Sequence, residues 1–426
     1  MQTSSLLGHA QEACLTVLGR PQPADLLLRE FFRARKYLGA KDRRFIADTT
    51  YALLRWKLQL DEVASRVPAP FASKPAARAV ALAARGKLLG DVEELSEAAA
   101  TLLRVGGKDM AAFARSAKDV RGRRGPAAEI AFDESFPVWM IERWVARFGA
   151  EEARKLAAAL NEPAPTTLRA NTLRGTRDEL IASLGSEGIE AKPAPLAPDG
   201  VVLTKRINVF ETRAFRDGKF EMQDEGSQLV SVALDPHPDW RVLDACAGAG
   251  GKALHVAALM RGRGEIFAFE PDERRRLELK RRIRRSGAQN VRIIEAADRL
   301  PGKMDAVLVD APCSGTGTIR RNPMIKNRLT PEDLLRHQAE QVAILRQWAP
   351  CVKPKGLLAY VTCSLMQEEN EQAFGSFLME SGFAPRETRA LSLALPATLL
   401  PHVHGTDGFF LAHATAPSTT SPARPS

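Results

Sequence analysis

Cys313 and Cys363 occupy parallel settings. Each follows an apolar run of strand character and has small or hydroxyl neighbours: Val307-Leu308-Val309 leads into Asp310-Ala311-Pro312-Cys313-Ser314, and Leu357-Leu358-Ala359-Tyr360-Val361 into Thr362-Cys363-Ser364. In an open parallel sheet, residues just past the strand tips line the ligand crevice. Two such ends bring two thiols and one carboxylate, Asp310, to a common rim. A thiolate there is a nucleophile for covalent chemistry, provided that the site favours ionisation of a group whose ordinary pKa is about 8.5. Cys14 and Cys351 lack such polar, turn-forming neighbours and read as inert core packing.

A second cluster lies upstream. An expected strand at 241–245 runs into Cys246-Ala247-Gly248-Ala249-Gly250-Gly251 and opens a helix near Lys252. A phosphate loop needs Gly at 246 and Ser or Thr at 253; Cys246 and Ala253 exclude it. Gly248, Gly250 and Ala253 fit the dinucleotide pattern, and Glu270 follows Gly248 by 22 residues. Methyltransferases hold S-adenosylmethionine with a similar strand, loop and acid, so the loop alone leaves both ligands open. Asp298, just past a third expected strand, suits an adenine amino group or its water. The thiols separate the two. Hydride transfer has no use for paired strand-tip cysteines, whereas carbon-5 of a pyrimidine becomes nucleophilic only after a group such as a thiolate adds at carbon-6.

These residues need a particular scaffold. Expected strands at 241–245, 265–269, 291–296, 306–309 and 357–361 alternate with helices, the longest at 331–348, which argues for a doubly wound α/β sheet with ligands at the carboxyl tips. Residues 136–220 mix helices (138–148, 151–160, 177–187) with short strands (166–171, 201–204), a small α/β module. Residues 1–130 read as helical, with apolar spacing of three and four at 24–34, 41–63 and 76–89. Phe45, Ile46, Thr49, Leu53, Trp56 and Leu60 form one expected core face. Arg43, Arg44, Arg55 and Lys57 between them suit either solvent or phosphate. The basic run 121–125 reads as a linker or a phosphate contact. The resulting division is 1–130, 131–222, 223–414 and a disordered, proline-rich tail at 415–426.

Composition narrows the partners. The 426 residues carry 61 Lys and Arg against 51 Asp and Glu, a net charge of +10 that favours a polyanion, with nucleic acid the commonest. Five cysteines without paired spacing argue against a metal site and for reduced thiols in the cytoplasm. No apolar run approaches 18 residues, and no charged segment leads into an apolar one at the start, so neither a membrane span nor a secretory signal is expected.

At its motifs the chain resembles the RsmB/Sun family of RNA cytosine-5 methyltransferases, nearest the ribosomal RNA small-subunit type. The motifs are DACAGAGGK (244–252), DAPCSGTG (310–317), RRNP (320–323), TCS (362–364), EENE (368–371) and DGFF (407–410). QDEGSQL (223–229) and RANTL (169–173) extend the likeness over roughly 135–413, and KDRRFIADTTYALLRW (41–56) is similar to the NusB-like helical domain of the ribosomal RNA members. The resemblance implies a Rossmann-like, S-adenosyl-L-methionine-dependent methyltransferase domain, a ferredoxin- or RRM-like module before it, and an all-helical NusB-like domain at the start. It implies that Cys363 attacks carbon-6 of cytosine, that Cys313 assists release of the adduct, and that Asp310 hydrogen-bonds the ring. By the same resemblance Cys246, Ala247, Gly248, Ala249, Gly250, Gly251, Lys252, Glu270, Asp298 and Asp310 hold the cofactor, Lys252 also ordering Asp310 or the base. Arg320, Arg321 and Asn322 are implied to meet RNA. The chain departs from the family in Ala249 for a usual proline, Glu270 for a usual aspartate, and Met324 for a common acid.

The expected partner is RNA, ribosomal ahead of transfer RNA, with no membrane or metal involved and the chain monomeric. Two other classes stay open: an idle RNA-binding or ribosome-assembly protein that keeps the fold, and a DNA cytosine-5 enzyme in which Cys313 would attack. The basic segment 273–285, with eight Lys or Arg in 13 positions, suits an RNA rim or a solvated helix face.

Overall fold

The computed structural model describes residues 2–65, 125–295, 300, 303–390 and 393–418. The expected helix at 76–89, the basic run at 121–124, Asp298 and residues 419–426 lie outside the described residues. By compactness the chain forms two units, Met1–Glu162 with Ile319–Leu329, and Pro163–Thr318 with Thr330–Ser426.

The first unit is helical: Thr3–Leu18, Ala24–Arg33, Ala40–Arg55, Lys57–Ser65, Pro126–Asp133, Val138–Phe148 and Ala150–Asn161. Ile46, Leu53, Trp56 and Leu60 of the expected face are buried and share a core with Leu7, Val17, Leu27 and Phe31. The span expected to run unbroken over 41–63 bends at Trp56 (φ −103°, ψ 9°). Past the bend, the backbone N–H of Gln59 donates to Ser135 Oγ at 3.1 Å and its side-chain amide to Phe132 O at 3.0 Å. Partners this distant in sequence leave no trace in local periodicity. Helix Thr3–Leu18 falls within the region read as helical but outside the three named spans.

Segment Ile319–Leu329 packs with these helices. Met324 is buried in their core, so the acid common at this position would here be desolvated among apolar side chains. Lys326 is buried too; its Nζ donates to Asn161 Oδ1 at 2.8 Å and lies 4.0 Å from the Phe136 ring centroid.

The second unit contains two main sheets. The smaller comprises β1 (Thr167–Ala170), β2 (Ala191–Pro193), β3 (Gly200–Leu203) and β4 (Phe220–Met222), antiparallel in the order β2-β3-β1-β4. Helix Arg177–Ser186, started by a Thr176–Glu179 capping box, buries Leu180 and Leu184 against Leu168, Val201 and Phe220. β2 and β4 are additions to the two strands expected.

The larger sheet holds β5 (Arg241–Asp244), β6 (Glu265–Phe269), β7 (Val291–Ile294), β8 (Met304–Asp310) and β9 (Val352–Thr362), parallel in the order β7-β6-β5-β8-β9. Beyond it, β10 (Ala384–Pro385) and β14 (Phe409–Thr415) extend the β9 edge antiparallel. β11 (Thr388–Ala390) and β12 (Leu393–Leu395) form a ribbon, and β13 (Ala397–Leu399) pairs with β14. Successive side chains feed opposite cores: Val242, Leu308 and Ala359 one face, Leu243, Val307 and Leu358 the other. Burial on both faces explains why these strands read as unbroken apolar runs. This is the expected Rossmann-like, doubly wound sheet, and the strand order reverses between β5 and β8, where such folds bind ligands. Thr415 and Ala416, read from sequence as the start of the tail, still belong to the sheet: Thr415 pairs with Leu357, and Ala416 N–H donates to Gly356 O at 3.0 Å. Among the described residues, no helix is long and apolar enough to cross a membrane, and no group of three or more His, Cys, Asp or Glu is arranged to hold a metal.

Candidate active site

The two thiols meet. Cys313 follows β8 and Cys363 follows β9, and because those strands are parallel neighbours their sulfurs come within 3.3 Å. Both residues are half-buried. The hydrogen bond with Cys363, and burial, push the Cys313 thiol well above its ordinary value, which favours its protonated form.

A buried carboxylate holds the two loops in register. Glu369 is fully buried in a π-helical turn, Glu368–Gln372. Its Oε1 accepts from Ser314 N–H at 2.7 Å and from Gln341 Nε2 at 3.2 Å, and its Oε2 accepts from the hydroxyls of Ser314 and Ser364. One side chain therefore ties the residue after Cys313 to the residue after Cys363. Asn370 braces the Cys363 loop itself, donating to Ser364 O at 3.0 Å while Thr362 Oγ1 donates to it. The DGFF motif closes the floor. Gly317 N–H donates to Cys363 O and Gly408 N–H to Gly317 O, each at 2.9 Å. A Cβ at Gly317 would lie 2.1 Å from Gly408 O, so only glycine permits this approach.

Lys252 and Asp310 stand at the switch point. Lys252 Nζ donates to Asp310 Oδ2 at 2.6 Å, with the lysine side chain 10% and the carboxylate 29% exposed. Burial works against the ammonium, but Asp310 outweighs it and the Lys252 pKa is raised. Residues Cys246–Gly251 pass tightly over the tip of β5. Gly250 is left-handed (φ +88°), and a Cβ there would strike Leu279 at 2.2 Å. Two arginines pin the loop, Arg169 of the RANTL run and Arg282 of the basic segment 273–285: Arg282 donates to Ala249 O at 3.0 Å and Arg169 to Gly251 O at 2.6 Å.

A cleft of about 230 Å³ opens above this loop, bounded also by Gln223, Ser227, Lys252, Arg282 and Asp310. Its chemistry fits S-adenosylmethionine. A Cβ at Gly248 would meet nothing within 4 Å, so the loop backbone is open to a ligand. Asp244 is buried, yet its Oδ2 has no hydrogen-bond partner, and burial with the nearby Asp310 pushes its carboxyl up to about 7. A ligand ammonium would satisfy that oxygen. Burial, reinforced by Asp244, raises the Cys246 thiol well above the ordinary range, so it stays neutral beside the loop. Glu270 is buried at the tip of β6, its Oε1 accepting from Asp272 N–H at 2.8 Å.

Arg320, Arg321 and Asn322 belong to the helical unit, where Arg320 O accepts from Arg55 Nη2 at 3.1 Å. Arg320 is buried, so Arg321 and Asn322 are the exposed members of that trio. Glu369 is the residue that sequence reasoning passed over. It lies in the EENE run (368–371) that carries part of the family resemblance, but no role was assigned to it there.

Residues 231–415 match the family described as 16S rRNA methyltransferase RsmB/F, and residues 136–210 its ferredoxin-like domain. Over 96% of this chain and 98% of the relative, the sequence is 31% identical to a probable ribosomal RNA small subunit methyltransferase B of Bacillus subtilis (strain 168). The fold is similar to the crystal structure of PH0851 (TM-score 0.75, 26% identity, 96% of this chain and 98% of that one). It is also similar to a methyltransferase homologue from Pyrococcus horikoshii (TM-score 0.61, 30% identity, 69% and 100%). With the paired thiols, the glycine loop and the ferredoxin-like module all in place, the chain belongs to the RsmB/F family of S-adenosyl-L-methionine-dependent methyltransferases.

Proposed function

We propose that the protein forms 5-methylcytosine in small-subunit ribosomal RNA through a covalent bond between Cys363 and carbon-6 of the base. The observation that carries this reading is the 3.3 Å approach of two thiols at adjacent strand tips, beside the Lys252–Asp310 pair. The target cytosine leaves its stack to reach the rim. The Cys363 thiolate adds to carbon-6 while N3 takes up a proton from water, and Asp310, held by Lys252, accepts hydrogen bonds from N3–H and the amino group, so that no bare anion is left on the ring. Carbon-5 then has the electron density to accept a methyl group; S-adenosylmethionine, when bound by the glycine loop with Asp244, Glu270 and Asp310, supplies that methyl from a sulfonium. Water at the rim takes the carbon-5 proton, the electron pair left behind restores the carbon-5–carbon-6 double bond, and the sulfur–carbon-6 bond breaks to return the Cys363 thiolate. Cys313 keeps its proton beside Cys363, which supports a role in releasing the product rather than in attack. By the same reading, residues 1–130 are a NusB-like RNA-binding domain, 131–222 the ferredoxin-like module and 223–414 the catalytic domain, working in the cytoplasm. Bisulfite sequencing of total RNA from a knockout and its parent tests the proposal. One ribosomal cytosine losing its protection is the expected result; a loss confined to transfer RNA would move the substrate, and no loss anywhere would end the reading.

A further inference from the structure

Beside the cofactor cleft, and sharing Met222 and Arg282 with it, runs a second groove of about 180 Å³, walled also by Phe210, Phe215, Glu278 and Arg285. It does not resemble a protein core. Phe210 is 54% exposed and Met222 40% exposed, so apolar surface is left in water next to the reactive site. The Phe210 ring is nonetheless braced: it meets Phe215 edge-on with centroids 5.0 Å apart, and Arg285 lies 4.0 Å over Phe215.

The charges around the groove fall into two sets. Arg282 and Arg285 turn inward and pair with the buried carboxylate of Glu221, so that acid is already neutralised. Arg274 and Arg281 stay exposed on the same helix, Glu273–Ser286, Arg281 in a solvent-exposed pair with Glu278 at 3.5 Å that a phosphate can replace at little cost. Spacing of three and four places both on the side of the helix that carries Glu278, Arg282 and Arg285, at the lip of the groove. The loop leading to Phe210 carries two more exposed cations, Lys205 and Arg206. A braced, exposed ring beside solvent-exposed positive charge is how proteins hold unpaired nucleotides, stacking the base and meeting the phosphates.

We propose that this groove docks single-stranded RNA flanking the target cytosine, with one base stacked on Phe210 and backbone phosphates on Arg274 and Arg281. The inference rests on the reading that the substrate is RNA. It adds the strip along which the strand enters, since groove and cleft share two walls.

The test uses the full-length chain and a labelled single-stranded oligocytidine, with affinity measured by anisotropy over a range of salt. Cofactor binding, measured by calorimetry, reports folding. Phe210→Ala is expected to weaken RNA binding by about 5- to 150-fold, and Phe210→Trp to retain it. Arg274→Gln with Arg281→Gln should lower the slope of log affinity on log salt by about 1.4. Cofactor binding should hold in each. If the parent protein binds the oligonucleotide and neither set of substitutions changes affinity or slope, the groove is not the RNA strip. That outcome would also follow if an acidic protein or a second copy occupied it. Failure of the parent protein to bind RNA at all would instead sink the substrate reading, and this inference with it. Should Phe210→Ala lose cofactor binding as well, the arginine pair on its exposed helix face decides the matter alone.

Discussion

Cys14 and Cys351 are packed into apolar cores, whereas Cys313 and Cys363 stand 3.3 Å apart at the tips of neighbouring strands. Burial alone pushes the Cys351 thiol up to about 11. At Cys313 the sulfur of Cys363 acts first and burial second. Around Cys351 the packed neighbours are apolar. Around the tip thiols stand hydroxyls, an amide and the fully buried Glu369, whose bonds to Ser314 and Ser364 join the two loops. The two pairs therefore differ less in depth than in the polar frame that fixes what each sulfur faces.

The largest test of that contrast is removal of the thiols. Cys363→Ala should lower methyl transfer by at least about 10³-fold, as expected for loss of a nucleophile, in an assay of methyl incorporation into ribosomal RNA. Cys313→Ala should instead leave a protein–RNA adduct that survives a denaturing gel. An adduct that requires Cys313 and forms without Cys363 would invert the two roles.

Glu369→Gln probes the frame itself. It keeps the shape but turns one acceptor oxygen into a donor facing two hydroxyls. A misplacement near 1 Å costs about 10²-fold, so kcat should fall by that order while KM for S-adenosylmethionine changes little, because Glu369 does not line the cofactor cleft. A change in KM alone would mean that the carboxylate acts through the cofactor.

Alkylation sharpens the contrast from the other side. With its pKa near 11, Cys351 at pH 8 should react with iodoacetamide on the order of 100-fold more slowly than a free thiol. Raising the pH toward 11 increases its thiolate fraction and should speed labelling, read site by site by mass spectrometry. The smallest effects belong to Cys14→Ala and Cys351→Ala: each should cost about 1 kcal/mol in denaturant unfolding and leave activity unchanged. A loss of activity in either would remove the distinction between the two pairs.

Much of the catalytic fold was legible in the sequence because it is written locally. The observed Glu265–Phe269 and Pro331–Trp348 coincide with the elements expected there, since strand runs, a Thr330 cap and a proline at the first helical turn are short-range signals. The glycine loop, Asp310 and both site cysteines were legible for the same reason. Arg169, Arg282 and Glu369 lie in runs already singled out (169–173, 273–285 and 368–371), but the roles of these three side chains were not legible. Their work is done across 82, 33 and 55 residues, on Gly251 O, Ala249 O and Ser314. The bend at Trp56 was equally hidden, because the acceptor for Gln59 N–H is 76 residues away.

From residue order alone came the kinds of element, the tight loop at Gly248 to Gly251, and the two thiols at the ends of apolar strands. Chain packing decided which strands became neighbours, and with that the approach of Cys313 to Cys363, the insertion of β14 beside β9, and the seating of Met324 in a helical core. The division has a physical cause. Backbone preference and turn chemistry act over a few residues, while a sulfur–sulfur approach or a buried carboxylate's partners exist only once distant segments have excluded water between them.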